Sequence, residues 1–415
     1  MKKRVLVTCM ILALSSQSGF ATESRIAALG GEIAMITDDD TNIDIFPQTI
    51  NRQNLFRISN ISSNTPNFAV ITGEKGDKWG LDGGSNQQND FFNIYRSLGN
   101  NKAVKLGVAV GRYSEENIAD NKEASPGNIK TTEKNSYFNL MIDADYGETK
   151  NNVEKAIYGV FSYGPNTIDA VTGSLLRDQF GTYANNNVTG ATTTKQDGKG
   201  NKLLLGAAAS LRKPMKIAVF NKVYASGSAY YSSDSASLST GAVKNQDTSS
   251  SEIFLSGRVL MFDEKKVGNK SRVYYGLGGR ASLTKTKTLD KVTSDENNET
   301  SLSISGPQFR MGAETALKHG VVRFGITRDF DLFSYNSKTQ TPKIGAVNDA
   351  NSQKILDIGI GTSGSYSVST GFGLEYNDLK IDFILRNIFW LSGPQMIFDA
   401  RNGTIATSAS MLYVF

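Results

Sequence analysis

Hydrophobic residues recur at every second position along most of this chain, the spacing of strands with one apolar and one polar face. In Ala103–Tyr113, Val104, Leu106, Val108 and Val110 share one side, while Lys105, Gly107, Ala109 and Gly111 share the other. Phe138, Leu140, Ile142, Ala144 and Tyr146 oppose Tyr137, Asn139, Asp143 and Asp145. Phe309, Met311, Ala313 and Leu317 oppose Arg310, Gly312, Glu314 and Ala316. The clearest run sets Tyr366, Val368, Thr370, Phe372, Leu374 and Tyr376 against Ser365, Ser367, Ser369, Gly371, Gly373 and Glu375. A soluble sandwich would alternate too, so strand length decides. Many runs reach 11 residues or more, past the usual five or six and enough for a tilted membrane crossing of about 9–11.

The alternation predicts strands near 102–113, 136–146, 154–164, 202–212, 215–231, 251–263, 271–284, 302–317 and 321–334. Long polar connections at 114–135, 165–201, 232–250, 285–301 and 335–352 alternate with short ones such as Lys213-Pro214 and Lys318-His319-Gly320. Long extracellular loops and short periplasmic turns are the asymmetry of outer-membrane barrels. Parity requires that 353–376 be one pass, bent near Gly361 and Gly364, which makes twelve strands from 102 onward. A hairpin of 53–59 and 66–81 would bring the count to fourteen. Two segments read as helical. Asp90 starts a stripe of Phe91, Phe92, Ile94, Tyr95 and Leu98 that Gly99 ends, and Ser174 to Phe180 suits a short amphipathic turn at the barrel mouth.

The ends agree with a barrel. Lys2, Lys3 and Arg4, the apolar run Val5 to Leu14, and Gly19-Phe20-Ala21 form a secretory signal cleaved near Ala21. At the other end, Ile405, Thr407, Ala409, Met411, Tyr413 and Phe415 share one strand face. A terminal strand of this kind ending in Phe415 resembles the signal read by the barrel assembly machinery, with Tyr413 and Phe415 as its aromatic pair.

Composition narrows the function. A mean hydropathy of −0.30 rules out a bundle of membrane helices but not a barrel, whose alternating strands average near neutral. Removing residues 1–21 takes away three basic and no acidic residues, so the net charge falls from +5 to +2. A near-neutral chain is a poor partner for nucleic acid. Cys9, the only cysteine, lies in the signal. The mature chain therefore has no disulfide, thiolate metal site or cysteine nucleophile.

Residues 25–50 read RIAALGGEIAMITDDDTNIDIFPQTI. This stretch resembles the N-terminal hatch of the long-chain fatty acid transporter superfamily of outer-membrane proteins. Leu29-Gly30-Gly31 matches its small-residue segment, Asp38-Asp39-Asp40 its acidic turn, and Phe46-Pro47-Gln48 stands in place of its Asn-Pro-Ala motif, without the Asn or the Ala. The resemblance implies a hatch motif of Arg25, Gly30, Gly31, Asp38, Asp39, Asp40, Asn42 and Pro47 inside the lumen. Similar hatches occur in barrels that serve as secretion shuttles. The expected fold is therefore all-β: a transmembrane antiparallel barrel of about 14 strands over 53–415, with a hatch at 22–52.

Little points to catalysis. Asp38, Asp40, Asn42 and Asp44 have the spacing of a calcium loop's first ligands, but Ile43 replaces the loop glycine and Thr49 the bidentate glutamate. A capped turn whose acids are held by lumen arginines fits better. His319, the only histidine, sits in a short turn with no nucleophile beside it in sequence. No enzyme and no cofactor are expected. If the apolar faces meet outer-membrane lipid, Lys105, Asp143, Asp145, Glu252, Arg258, Arg272, Arg280, Arg310, Glu314, Arg323, Asp382 and Arg386 point into the lumen. There they fill it with ion pairs or steer an anionic head group. The expected function is passive uptake of a small hydrophobic or amphipathic ligand through the plugged lumen. The alternative is a structural, adhesion or secretion-accessory barrel, and a general porin comes third.

Overall fold

The computed structural model describes residues 21–59, 67–85, 89–121, 129–164, 196–240, 243–291, 296–318, 320–341, 353–359, 365–376, 378–385 and 406–415. The signal segment, the 174–180 turn, His319 and Arg386 lie outside the described residues.

The strands are β1 Leu55–Ser59, β2 Asn67–Glu74, β3 Asp77–Ser85, β4 Asn89–Ser97, β5 Lys102–Asn121, β6 Ile129–Lys150, β7 Val153–Gly164, β8 Gln196–Ile217 and β9 Phe220–Thr240. They continue as β10 Val243–Val267, β11 Ser271–Asp290, β12 Glu296–Ala316, β13 Gly320–Thr341, β14 Gln353–Gly359, β15 Tyr366–Tyr376, β16 Leu379–Leu385 and β17 Ala406–Val414. Each runs antiparallel to its neighbours. The sheet closes where Leu55–Ile58 of β1 pairs with Val414–Met411 of β17. β14 pairs with the upper part of β13 and β15 with the lower part. The 353–376 stretch is thus one pass in two segments, and the barrel has sixteen passes.

Twelve passes follow residue 102, as the alternation predicts. The two additional ones lie before it. The expected single strand 66–81 breaks at Lys75-Gly76, with Gly76 at φ +88, into β2 and β3. The expected helix from Asp90 is strand β4, whose Asn93, Tyr95 and Ser97 are buried inward while Phe92 and Ile94 are exposed outward. Inside, Tyr95 packs with Ile43 and Ile50. Apolar residues therefore occupy both strand faces and imitate a helical stripe. The turn expected at Lys213-Pro214 falls instead at Ala218-Val219, because β8 continues through Pro214 beside a register irregularity.

Three expected loops are mostly strand: β5 and β6 leave only 122–128 between them, β9 and β10 only 241–242, and β11 and β12 only 291–295, while in the fourth, 335–352, β13 runs on as far as Thr341. β5, β6 and β8–β13 run 20–25 residues, whereas β1–β4 and β14–β17 run 5–11. A tilted strand of the longer kind rises about 55 Å, roughly twice the ~25 Å apolar band of an outer-membrane barrel. Among the described residues, the wall is taller along β5, β6 and β8–β13 than along β1–β4 and β14–β17.

The burial pattern is inverted relative to a water-soluble protein. Leu106 is 59% exposed and its neighbour Lys105 is 0% exposed. Ile142, Ile157, Phe161, Val259, Met311 and Phe324 face out, while Asp143, Asp145, Arg212, Arg323 and Asp382 are buried inside. The hydrophobic core also lies within the ring. Leu29, Met35 and Phe46 of the N-terminal segment pack on inward-facing Tyr158, Leu204, Tyr224, Leu260, Phe262 and Tyr274.

Candidate functional site

The segment before β1 begins with helix α1, Ala21–Ala28. Gly30 and Gly31, at φ +101 and +73, end it. The Gly31 N–H bonds to the Ile26 carbonyl at 2.8 Å and the Gly30 N–H to that of Ala27 at 3.3 Å, the paired closure that a left-handed glycine permits. Three short 3-10 turns follow, at Ile33–Met35, Asp40–Asp44 and Pro47–Asn51. Asp39 caps the second, accepting from the Thr41 N–H at 3.1 Å and the Thr41 hydroxyl at 2.8 Å. Asn42 Nδ2 donates to the carbonyls of Ile36 and Asp39. Pro47 opens the third turn, where its missing N–H costs nothing. The acidic stretch is a capped turn, with Asp39 and Asn42 engaged by the protein itself.

Arg25 ties this segment to the wall. Its guanidinium donates to Glu314 of β12 at 2.8 and 3.1 Å, to Asp39 at 3.1 Å, to Asp38 at 3.3 Å and to the Tyr274 hydroxyl at 3.2 Å. Tyr274 donates in turn to Glu314 at 2.9 Å. Arg323 continues the chain from Glu314 at 3.2 Å to Asp382 at 2.5 Å, and Arg272 holds Asp38 at 2.8 Å. Burial alone would lower the Arg25 pKa, but Asp39, Glu314 and Asp38 hold it above its ordinary value. Burial pushes Asp38 up, and Arg25 with Arg272 more than reverses this, leaving it below the usual carboxylate range. Asp40 differs: burial and the neighbouring Asp39 push it up to about 7.

A second arginine, Arg212 of β8, donates to Asn42 Oδ1 at 2.7 Å, the Ala34 carbonyl at 3.2 Å and Glu154 at 2.5 Å. Its guanidinium also lies over the Phe46 ring, 4.6 Å from the centroid. Arg52 meets the same Glu154 at 2.9 Å. Lys105 sits between Asp143 and Asp145, 2.7 Å from each, fully buried in the wall.

Three inward glycines on adjacent passes seat the end of α1. Gly312 and Gly325 are direct cross-strand partners. A Cβ on Gly312 would lie 2.6 Å from the Leu29 oxygen, one on Gly325 2.6 Å from the Leu29 carbonyl carbon, and one on Gly371 2.5 Å from the Ala28 Cβ. The Ser24 and Ser410 hydroxyls meet at 3.0 Å beside this seat. The glycine seat, Arg212 and Ser410 were not among the sequence candidates. The glycines could have been found as polar-face positions of strands that carry almost no side chain.

The sequence candidates fall as follows. Arg25, Gly30, Gly31, Asp38, Asp39, Asp40, Asn42 and Pro47 gather within the ring. Lys105, Arg272, Glu314 and Arg323 line its short-turn end. Arg258 of β10 bonds Glu32, and Arg310 of β12 pairs with Asp329 through both guanidinium nitrogens. Arg280 lies level with Arg258 and Glu252 higher on the same face, Glu252 accepting from Tyr230. Tyr413 and Phe415 stack on the outside, centroids 6.1 Å apart.

Two polar cavities flank the N-terminal segment at the short-turn end. One, of about 490 Å³, lies between Asp38–Asp40, Arg272, Glu314 and Lys380. The other, of about 420 Å³, lies between Gln48, Arg52, Lys78 and Glu154.

A closed antiparallel barrel with apolar residues outside, charge inside and its own N-terminal segment in the lumen defines an outer-membrane-type β-barrel. No family model and no curated protein matches the chain. Among solved structures it is similar to P. aeruginosa FpvA bound to a heterologous pyoverdine and iron, at 7% identity, covering 88% of this chain and 71% of that one. The TM-score of 0.29 is too low to add to what the strand register establishes.

Proposed function

We propose that this chain is an outer-membrane protein of a Gram-negative bacterium, released from its signal peptide near Ala21. In this reading it passively takes up small hydrophobic or amphipathic molecules, with residues 22–52 as the hatch. The observation that carries the reading is how the lumen is filled. The segment sits at the short-turn end, held to the wall mainly by polar contacts and flanked by two polar cavities from which water can reach the groups it would release. Above it the wall offers the stacked rings of Tyr230 and Phe254, 4.9 Å apart, near the lumen arginines. An amphipathic molecule could use both. The resemblance of residues 25–50 to the fatty acid transporter hatch points the same way.

Binding of a fluorescent long-chain fatty acid to the folded protein tests this, with a second form lacking residues 22–52. Saturable binding whose stoichiometry changes without the segment is expected. No saturable binding by either form would overturn the reading.

The second reading is a structural, adhesion or secretion-accessory barrel. The tall wall favours it, because Ser232–Ser235 of β9 and Thr248–Ser251 of β10 are polar on both faces and carry the sheet on above the Tyr230–Phe254 stack. Trimming that wall would then abolish attachment to a partner and leave ligand uptake intact.

A further inference from the structure

Arg258 of β10 and Arg280 of β11 are direct cross-strand partners. Both face the lumen, since Arg258 bonds Glu32 inside while its neighbours Val259 and Leu255 are exposed outside. Like charges directly opposite each other in a sheet are destabilising. Here only one is answered. Glu32 of the N-terminal segment neutralises Arg258, and among the described residues no acceptor lies within hydrogen-bonding reach of Arg280.

The surroundings are those of an anion site. Ser226 pairs with Arg258 on one side and Ser305 with Arg280 on the other. The next inward row up the wall is Ser228, Ser256, Ser282 and Ser303, with the first two hydroxyls 2.8 Å apart. Above them stands the Tyr230–Phe254 stack. Going up the lumen, a ligand meets guanidinium forks, then hydroxyls, then aromatic faces.

We propose that Arg258, Arg280 and the flanking serines form a carboxylate subsite on the lumen floor, and that a bound carboxylate competes with Glu32 for Arg258 and loosens the hatch. The amphipathic ligand rests on the uptake reading; the anion site itself does not. Guanidinium groups bind carboxylates through paired charge-assisted hydrogen bonds. Because ligand and Glu32 share one cation, the coupling is reciprocal: removing Glu32 strengthens ligand binding by the factor with which the ligand weakens the Glu32 contact.

The test uses the full folded chain, with decanoate, decanol and gluconate as probes in titration calorimetry. Decanoate should bind about ten-fold tighter than decanol, the scale of one charged hydrogen-bonded contact. Arg280→Gln should erase that difference and leave decanol unchanged. Arg280→Lys, which keeps the charge and loses the fork, should fall between. Glu32→Gln should raise decanoate affinity several-fold, and decanoate should speed hydrogen exchange of residues 22–52 in the unmodified chain. Electrophoretic mobility without heating checks that each variant is folded. Equal affinity for decanoate and decanol overturns the subsite, and decanoate binding that ignores Glu32→Gln overturns the coupling. If neither alkyl probe binds, the hydrophobic uptake reading fails and gluconate decides the subsite. Binding of gluconate that depends on Arg280 supports it, and no binding overturns it.

Discussion

Arg25 and Glu314 stand 289 positions apart in the chain and share two hydrogen bonds, of 2.8 and 3.1 Å. The pair joins the first helix of the N-terminal segment to the twelfth strand of the wall. Removing Arg25 leaves the buried Asp39 without this counter-charge and Glu314 with Arg323 alone, at a cost of about 3–5 kcal/mol for breaking a buried pair from one side. Arg25→Ala should therefore speed hydrogen exchange across residues 26–42 and leave the strands unchanged. Arg25→Lys, which keeps charge without the fork, should do so less.

Seating of the segment should depend on pH in two opposed ways. Asp38, held below its ordinary value of 3.8 by Arg25 and Arg272 after burial is overcome, favours the seated state above that value. This contribution is lost as the pH falls through the depressed pKa. Asp40, pushed up to about 7 by burial and by Asp39, takes up a proton on seating. Its contribution is complete below about pH 4 and disappears as the pH rises through 7. Exchange protection of residues 22–52 should peak at about pH 4–5 and decline toward pH 8. Asp40→Asn should flatten the decline on the neutral side; an unchanged profile would remove Asp40 as its source.

The glycine seat predicts a steric release. Gly325→Ala would place a methyl 2.6 Å from the Leu29 carbonyl carbon, a position no relaxed Cβ occupies, so residues 28–31 must lift. The barrel should keep its unheated electrophoretic mobility while trypsin cuts faster after Arg25. Ala at Gly257, where nothing lies within 4 Å, is the control and should change neither.

A reversible lock can be built in a Cys9→Ser background, since Cys9 is the chain's only cysteine. The Ser24 and Ser410 oxygens are 3.0 Å apart, so Ser24→Cys with Ser410→Cys brings two sulfurs within reach of a bond. Oxidised protein should take up no fluorescent fatty acid, and reduction should restore uptake. Equal uptake in both states would show that α1 does not have to move.

The number of passes was legible from residue 102 onward because most strands there carry an apolar outer face and a more polar inner one, and period two records that difference. It failed where the difference vanishes. At β4 large aromatic and aliphatic residues stand on both sides, since Tyr95 packs with Ile43 and Ile50 inside while Phe92 and Ile94 face the outside. Along Ser232–Ser235 polar residues occupy both faces, so the strand reads as a loop. The acidic turn was legible as Asp38–Asp40 with its expected arginine partners. Which arginines meet which acids was not, because Arg272 reaches Asp38, and Arg212 reaches Asn42, only when distant strands close the ring.

Only Arg52, Gln53 and Asn54 separate the last 3-10 turn from β1, a leash of at most about 14 Å. The segment is thus hinged at its C-terminal end, next to the ring's own closure point. Any swing is greatest at α1 and least at Pro47–Asn51. A passage would therefore open first beside β12, β13 and β15, like a door whose latch is Arg25 and whose jamb is the glycine seat.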